Sequence, residues 1–163
     1  MCTETLSLQA PAPGVDRGRA QIWPRLLRAY RQTRYTADGI DIRIGRRNAA
    51  MDAWLADHGA QTGVLITAWN PRSRQMPRGW NVSMQRRLAE HLHRCMCVNA
   101  DGRLRRWHEA QILVLSPRKP AERIAMRFRQ RGIVVLQRRH PARLIILPDR
   151  CRPVGIRTDT ISR

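Results

Sequence analysis

The sequence predicts one small α/β domain, a sandwich of a mixed sheet of about five strands flanked by about three helices. Three observations predict this class. Val64–Trp69 is apolar and rich in β-branched residues, as expected of a buried central strand. Ile40–Ile44 alternates apolar and charged residues, which is typical of a strand with one buried face. Segments with apolar residues at helical spacing separate the strands, as in other α/β proteins.

The first half of the chain predicts a strand–helix–strand unit. A short helix is expected over Trp23–Tyr30, with Pro24 in its first turn. The strand Ile40–Ile44 is followed by a helix that Asn48 caps at its start and Gly59 at its end. The central strand comes next, so we expect a βαβ unit whose two strands are parallel and joined by a right-handed crossover.

The middle of the chain predicts one helix and one further strand. The helix covers Asn81–Cys95, and an apolar stripe marks its buried side. Val98–Arg106 is predicted to be irregular, with a turn at Asn99–Gly102, because Asn, Asp and Gly favour turns. Gln111–Ser116 is apolar and is predicted to be a strand.

The last part of the domain predicts a helix and a hairpin. The helix covers Pro120–Arg131 and ends at Gly132. Ile133–Leu136 and Arg143–Leu147 are predicted strands, and their short connection favours an antiparallel hairpin. The domain is thus expected over residues 20–148, with a flexible N-terminal tail at 1–19 and a basic C-terminal tail at 149–163.

The composition is strongly basic. The net charge is +19, and Lys119 is the single lysine among 31 basic residues. Such a charge favours a polyanionic partner such as nucleic acid. The excess of arginine over lysine is also what a GC-rich genome would produce, and both interpretations stay open.

The composition also bears on location. The four cysteines lack the density of a secreted disulfide scaffold: Cys2, Cys95, Cys97 and Cys151. Met1–Gly18 has no apolar leader segment, and no run reaches the ~20 apolar residues of a membrane span. We therefore expect a cytoplasmic protein, bacterial in character, that does not contact membranes.

The best candidate site lies where Asn70-Pro71 stops the central strand, since ligands bind beyond the carboxyl ends of strands in α/β sheets. Cationic and polar side chains follow there, just before the helix that is predicted to start near Asn81: Asn70, Arg72, Ser73, Arg74 and Arg78. This pattern predicts a phosphate or carboxylate pocket. The alternative is a plain Asn-Pro turn with Asn81 as an ordinary helix cap. No glycine-rich phosphate loop is present, and no cofactor is predicted.

Three other patterns are weaker. His91 and Cys95 could share one face of a helix, but the Cys95–Cys97 spacing is uncommon for zinc, so we predict no metal. Glu109, one of 12 acidic residues, could be a general base, a salt-bridge partner or a solvated residue. Tryptophans between arginines could stack on the bases of a single strand: Trp69, Trp80 and Trp107.

A family resemblance rests on the run Ile66–Pro71, read Ile-Thr-Ala-Trp-Asn-Pro, followed by Ser73. With matches from Tyr30 to Leu147, the chain resembles a bacterial family known as domain of unknown function 3293. Arg129 stands where that family has glycine. The resemblance implies a shared fold and no particular activity. It also implies that five residues form one polar site: Asn70, Ser73, Asn81, Glu109 and Gln130.

Three functions are compatible with the sequence. The first is a binding module that holds an anionic ligand, a nucleotide or nucleic acid, at the loop from Asn70 to Asn81. The second is an enzyme with Glu109 as base, acting on a phosphorylated or carboxylate substrate. The third is a structural or interaction protein whose arginine-rich face docks an acidic partner.

Overall fold

The computed structural model describes residues 17–148 of the chain, and it describes side chains from residue 24 onward. The predicted C-terminal tail, 149–163, lies outside the described residues, as does most of the predicted N-terminal tail. The last three residues of that N-terminal segment, 17–19, are helical, so the first helix begins earlier than the sequence predicts. No helix in this part of the chain is both long and apolar enough to cross a membrane.

Residues 17–148 form four helices, one at each predicted helical segment, where about three were expected in the predicted sandwich; the sheet has seven strands where about five were expected. The helices are α1 (Arg17–Gln32), α2 (Ala49–Asp57), α3 (Arg78–His91) and α4 (Arg118–Arg127). The strands are β1 (Arg34–Ala37), β2 (Ile40–Ile42), β3 (Thr62–Ile66), β4 (Cys97–Leu104), β5 (Trp107–Val114), β6 (Gly132–Gln137) and β7 (Arg143–Ile146).

The sheet is antiparallel rather than mixed. Its strand order is β2-β1-β4-β5-β3-β6-β7, and every neighbouring pair is antiparallel. β2 and β3 run in the same direction on either side of α2 in sequence, but three strands lie between them. The predicted βαβ unit with adjacent parallel strands is therefore wrong. β2 instead turns back onto β1 through Asp38 and Gly39, whose positive φ angles of 48° and 73° suit a two-residue hairpin turn.

The sheet curls into a half-barrel. Ile44, just past β2, forms a parallel bridge with Ala142, just before β7. The Gly45 N–H donates to the Ala142 carbonyl at 2.8 Å, and the Ala142 N–H donates to the Arg46 carbonyl at 3.0 Å. Because β2 and β7 lie at opposite ends of the strand order, these contacts bring the two edges together and give the sheet a concave and a convex face.

The segment predicted to be irregular is the long strand β4. It pairs along its whole length with β5, and the two strands meet at a two-residue turn after Leu104. Arg105 takes a φ of 53° in that turn, so the turn lacks the glycine that usually marks one. Asn99, Asp101 and Gly102 favour a turn by composition, yet all three pair with β5. Asp101 and Gly102 also pair with β1, so strand pairing outweighs local propensity.

Two apolar clusters fill the two faces. On the concave face, α2 packs Met51, Trp54 and Leu55 against the sheet. On the convex face, α3 and α4 pack small and branched side chains against β3, β5 and β6: Leu88, Leu92, Ala121 and Ala125. Along β3, Leu65 belongs to the first cluster and its neighbours on either side to the second. β3 therefore contributes to both faces. α2 covers one part of the concave face, and α1 lies over another part of it.

The helix ends agree only in part with the sequence prediction. Asn48 caps α2 by accepting a hydrogen bond from the Met51 N–H at 3.1 Å, and Gly59 follows the helix with a φ of 64°. Both of these predictions are confirmed. Asn81 does not cap a helix, because α3 begins at Arg78 and the Asn81 side chain is buried.

The end of α4 also differs from the prediction. Gly132 does not end the helix; it begins β6. The helix ends at Arg127, and Arg129 takes the left-handed conformation with a φ of 56°. The Gln130 N–H then donates to the Ala125 carbonyl at 2.9 Å, as in a Schellman ending. Arg129 thus occupies the position at which glycine is favoured.

We predict that replacement by glycine changes the free energy of unfolding in opposite directions at two exposed arginines of this region, Arg129 and Arg123. Arg129→Gly removes the left-handed strain of a residue with a Cβ and should raise the free energy of unfolding by about 1 kcal/mol. Arg123→Gly, in the interior of α4, should lower it by about 1 kcal/mol. Urea unfolding of both variants measures the difference, and a loss of stability in both would contradict the assignment of Arg129.

Candidate functional site

A cavity of 320 Å³ lies between α1 and the part of the concave face that α2 leaves open. Its walls are largely apolar, with Leu26 and Ala29 from α1 and Leu65 and Val134 from the sheet. No described arginine or lysine lines it. Its polar lining consists of hydroxyl, amide and carboxyl groups: Tyr30, Thr33, Tyr35, Thr67, Ser73, Glu109, Gln111 and Gln130.

The polar end of the cavity rests on two buried asparagines. The side-chain oxygen of Asn70 accepts hydrogen bonds from the Asn81 side-chain amide and from the Met76 N–H, both at 3.0 Å. The Asn70 N–H in turn donates to the Asn81 side-chain oxygen at 3.0 Å. The remaining polar group, Asn70 Nδ2, donates to Glu109 Oε1 at 2.8 Å. The loop after β3 is therefore joined both to α3 and to β5.

The backbone of this loop is unusual. Asn70, Arg72 and Ser73 have positive φ angles of 47°, 55° and 57°, and none of them is glycine. Each such residue costs about 1–2 kcal/mol unless its surroundings hold it. Strain of this kind concentrates at functional sites in proteins. Because this strained backbone lies beside the cavity, the loop is a candidate functional segment.

The chain around β6 holds the strained loop in place. The Gln130 side chain donates from Nε2 to the Trp69 carbonyl at 2.9 Å. The Arg72 N–H donates to the Arg129 carbonyl at 2.8 Å, and Arg131 Nε donates to the Arg72 carbonyl at 2.9 Å. Gln130, predicted as a ligand-binding residue, thus supports the loop backbone while also lining the cavity.

Glu109 is the one acidic side chain among the described residues that line the cavity. Burial raises the pKa of its carboxyl above the usual 4.5, because removal from water disfavours the charged form. Hydrogen bonds from Asn70 and Trp107 and the nearby His108 oppose this shift without cancelling it. The carboxyl is therefore a group whose protonation can change within the cavity.

Tyr30 faces Glu109 from α1. Burial is the main cause that raises the pKa of its phenol to about 12, and the neighbouring carboxyl of Glu109 adds to the shift. Its hydroxyl hydrogen-bonds with Ser73. Its ring lies against Gly132, where an added Cβ would come within 3.5 Å of it. The sequence interpretation counted Tyr30 only as an apolar helix residue; its inclusion in the family resemblance was the signal that could have found it.

The structure brings most of the predicted site residues together. Asn70, Asn81 and Glu109 form one hydrogen-bonded group, while Ser73 and Gln130 line the cavity beside it. The arginines of the loop are placed differently. The backbone N–H and carbonyl of Arg72 hydrogen-bond with Arg129 and Arg131, and Arg74 and Arg78 are exposed. None of these three loop arginines is among the residues that line the cavity.

The cysteine and histidine segment has an ordinary setting. The His91 ring packs edge-on against Phe128, with centroids 6.4 Å apart, and Cys95 is exposed. Within residues 17–148, no group of three or more His, Cys, Asp or Glu side chains is arranged to hold a metal ion. Cys2 and Cys151 lie outside the described residues.

The three tryptophans differ in exposure. Trp69 is half-buried and meets the His108 ring edge-on at 5.8 Å, and Trp80 is also half-buried. Trp107 is 39% exposed at the wall of the cavity. Of the three, Trp107 is thus the one placed to contact a ligand there.

The fold and the site define a class of protein: an antiparallel half-barrel with a cavity that ends on a half-buried carboxyl. Residues 66–133 match the model of a family described as "Protein of unknown function (DUF3293)". The resemblance seen in the sequence is thereby confirmed over this stretch, which contains Asn70, Ser73, Asn81, Glu109 and Gln130. No significant match is found among curated proteins or among solved structures. That family description names no activity.

The raised pKa of Glu109 predicts how stability depends on pH. The folded protein binds this proton more tightly than the unfolded chain, so the stabilisation is complete below the unfolded pKa and is lost as pH rises through the folded pKa. Glu109→Gln has no such proton to lose. Its free energy of unfolding, relative to the wild type, should therefore increase as pH rises above about 4.5.

Urea unfolding of both proteins between about pH 4 and pH 8 tests this sign. Glu90→Gln, on the exposed side of α3, is the control for removing one acid from a basic protein. If the free energy of unfolding of the wild type and of Glu109→Gln differs by the same amount at every pH, the pKa of the Glu109 carboxyl is not raised in the folded protein, and the prediction is wrong.

Proposed function

We propose that the protein binds a small molecule in the cavity between α1 and the concave face, and that Glu109 recognises it. The observation that carries this proposal is the Glu109 carboxyl, half-buried at the wall of a 320 Å³ cavity and fixed there by Asn70. Ligand sites are typically apolar concave pockets with a few positioned polar groups, and this cavity has that composition.

The lining favours a neutral or cationic ligand with an N–H donor. Glu109 Oε1 accepts from Asn70, which leaves acceptor capacity on the carboxyl for a ligand. A carboxylate or phosphate in the cavity would lie beside Glu109 with no cation in the described lining to balance it. The apolar walls and the aromatic rings of Tyr30, Tyr35 and Trp107 suit a compact, flat molecule.

An anionic ligand, the expectation from the sequence, belongs outside the cavity in this proposal. Arg74 and Arg78 are exposed, and Arg72 is not among the lining residues. The protein is thus still proposed to be a binding module, but the ligand in its cavity is neutral or cationic. Phosphate groups would bind to the protein surface instead.

Benzamidine and benzoate test the proposed ligand class, since the two molecules share a shape and carry opposite charges. At about ten times its Kd a ligand adds about 1.4 kcal/mol of stability, roughly 4–6 °C in Tm for a domain of this size. We expect benzamidine to raise Tm at pH 8 and benzoate to leave it unchanged. Glu109→Gln should lose the benzamidine shift, because the carboxyl that pairs with the amidinium is gone.

A second variant locates the binding. Ala29→Phe places a ring in the cavity from α1 and should abolish the benzamidine shift. Ala53→Phe, on the exposed side of α2, is the matched control and should keep it. A larger shift with benzoate than with benzamidine, or a benzamidine shift unaffected by Ala29→Phe, would contradict the proposal.

A second candidate function is an enzyme in which Glu109 removes a proton from the bound molecule. The observation in its favour is the pairing of Glu109 with Tyr30, two groups whose pKa values are both raised and which face one cavity. Such pairs supply a base and a hydrogen-bond donor in active sites. Asn70 would orient the base, since its side chain fixes one carboxyl oxygen.

The pH dependence of turnover distinguishes catalysis from binding alone. A base must be unprotonated, so the rate should rise with pH through the raised pKa of Glu109 and level off above it. Glu109→Gln should reduce the rate by at least about 100-fold. Incubation with compounds that raise Tm, followed by mass spectrometry, provides the assay. Compounds that bind but are recovered unchanged would limit the protein to binding.

A further inference from the structure

The outer surface of α3 and α4 is basic and exposed. Ala121 and Ala125 of α4 are buried against the sheet. Arg123 and Arg127 follow them by two residues, about 200° around the helix, so they lie on the solvent side. Arg86 precedes the buried Leu88 of α3 by the same interval and is also exposed.

The two helices contribute to one surface. Both pack on the convex side of the sheet within the same apolar cluster, and the rings of His91 and Phe128 bring their ends into contact. We call six exposed cations of these helices and of the turn after α3 the helical basic face: Arg86, Arg87, Arg94, Lys119, Arg123 and Arg127. Arg123 and Arg127 are about 6 Å apart along the axis of α4.

α3 and α4 together carry seven Arg or Lys residues and two acidic residues. The two acids are Glu90 and Glu122, and Glu122 is paired with Arg118 and Lys119. The remaining described acids other than Glu109 are five aspartates on or beside β1, β2, α2 and β4: Asp38, Asp41, Asp52, Asp57 and Asp101. Three of these form ion pairs with arginines, namely Arg34–Asp41, Arg47–Asp52 and Arg103–Asp101.

We propose that the helical basic face binds the phosphate backbone of duplex nucleic acid. Its cations supply the charge that releases counterions from a duplex. Trp80 and Phe128 are half-buried, and within the described part of these helices no Trp, Tyr or Phe is exposed. Stacking on unpaired bases, the usual means of holding a single strand, therefore contributes little here. The face contacts phosphates without reading bases, and it is separate from the cavity that contains Glu109.

Fluorescence anisotropy with a labelled duplex of about 20 bp, using the full-length protein, tests the proposal. The affinity should fall steeply between ~50 and ~200 mM salt. Arg123→Gln/Arg127→Gln removes two phosphate contacts, so the slope of log K against log salt should become shallower by about two, and Kd should rise about tenfold.

The matched control is Arg43→Gln/Arg46→Gln, which removes the same net charge from exposed positions on the far side, beside β2 and α2. It should change Kd by less than about twofold. Equal weakening in the two double variants would mean that binding follows net charge alone, and it would overturn the proposal. Tighter binding of the single strand than of the duplex would overturn it as well.

Discussion

The side chain of Asn70 is the interaction on which the polar end of the cavity depends. Its oxygen accepts from Asn81 and Met76, and its amide donates to Glu109. An asparagine can satisfy all three partners, whereas an aspartate has no donor for a carboxyl and an alanine has neither group. Asn also tolerates the left-handed backbone better than most residues. One residue therefore sets the path of the loop, the position of α3 and the environment of the acid on β5.

The curl of the sheet explains why a cavity exists at all. A flat sheet of seven strands would offer one broad face, but the contact between Ile44 and Ala142 brings its two ends together. α2 fills one part of the resulting concave face with Trp54 and Leu55. α1 covers another part, and the small side chain of Ala29 leaves space that the sheet side chains do not fill. The site is the part of the concave face that the apolar side chains of α2 do not fill.

The sequence predicted the central strand, the C-terminal hairpin and the ends of α2, because each depends on local pattern. It missed β4, where Asn99 and Gly102 resemble a turn, since antiparallel pairing on both sides decided the structure. The grouping of Asn70, Asn81 and Glu109 came from the family resemblance, because no spacing along the chain places β5 beside the loop after β3. The cavity itself, with Tyr30 in its wall, follows from the packing of α1 and from the curl, neither of which has a local signal.

The strand order also has a consequence for the time at which the fold can form. β1–β2, β4–β5 and β6–β7 are hairpins between neighbours in sequence, and such local pairs form early. β3 differs, because both of its partners, β5 and β6, are synthesised after it. During translation Val64, Leu65 and Ile66 therefore have no pairing partner until the chain has grown through β5, and they lack the second partner until it has grown through β6. This central strand is the segment that a chaperone at the ribosome would be expected to protect.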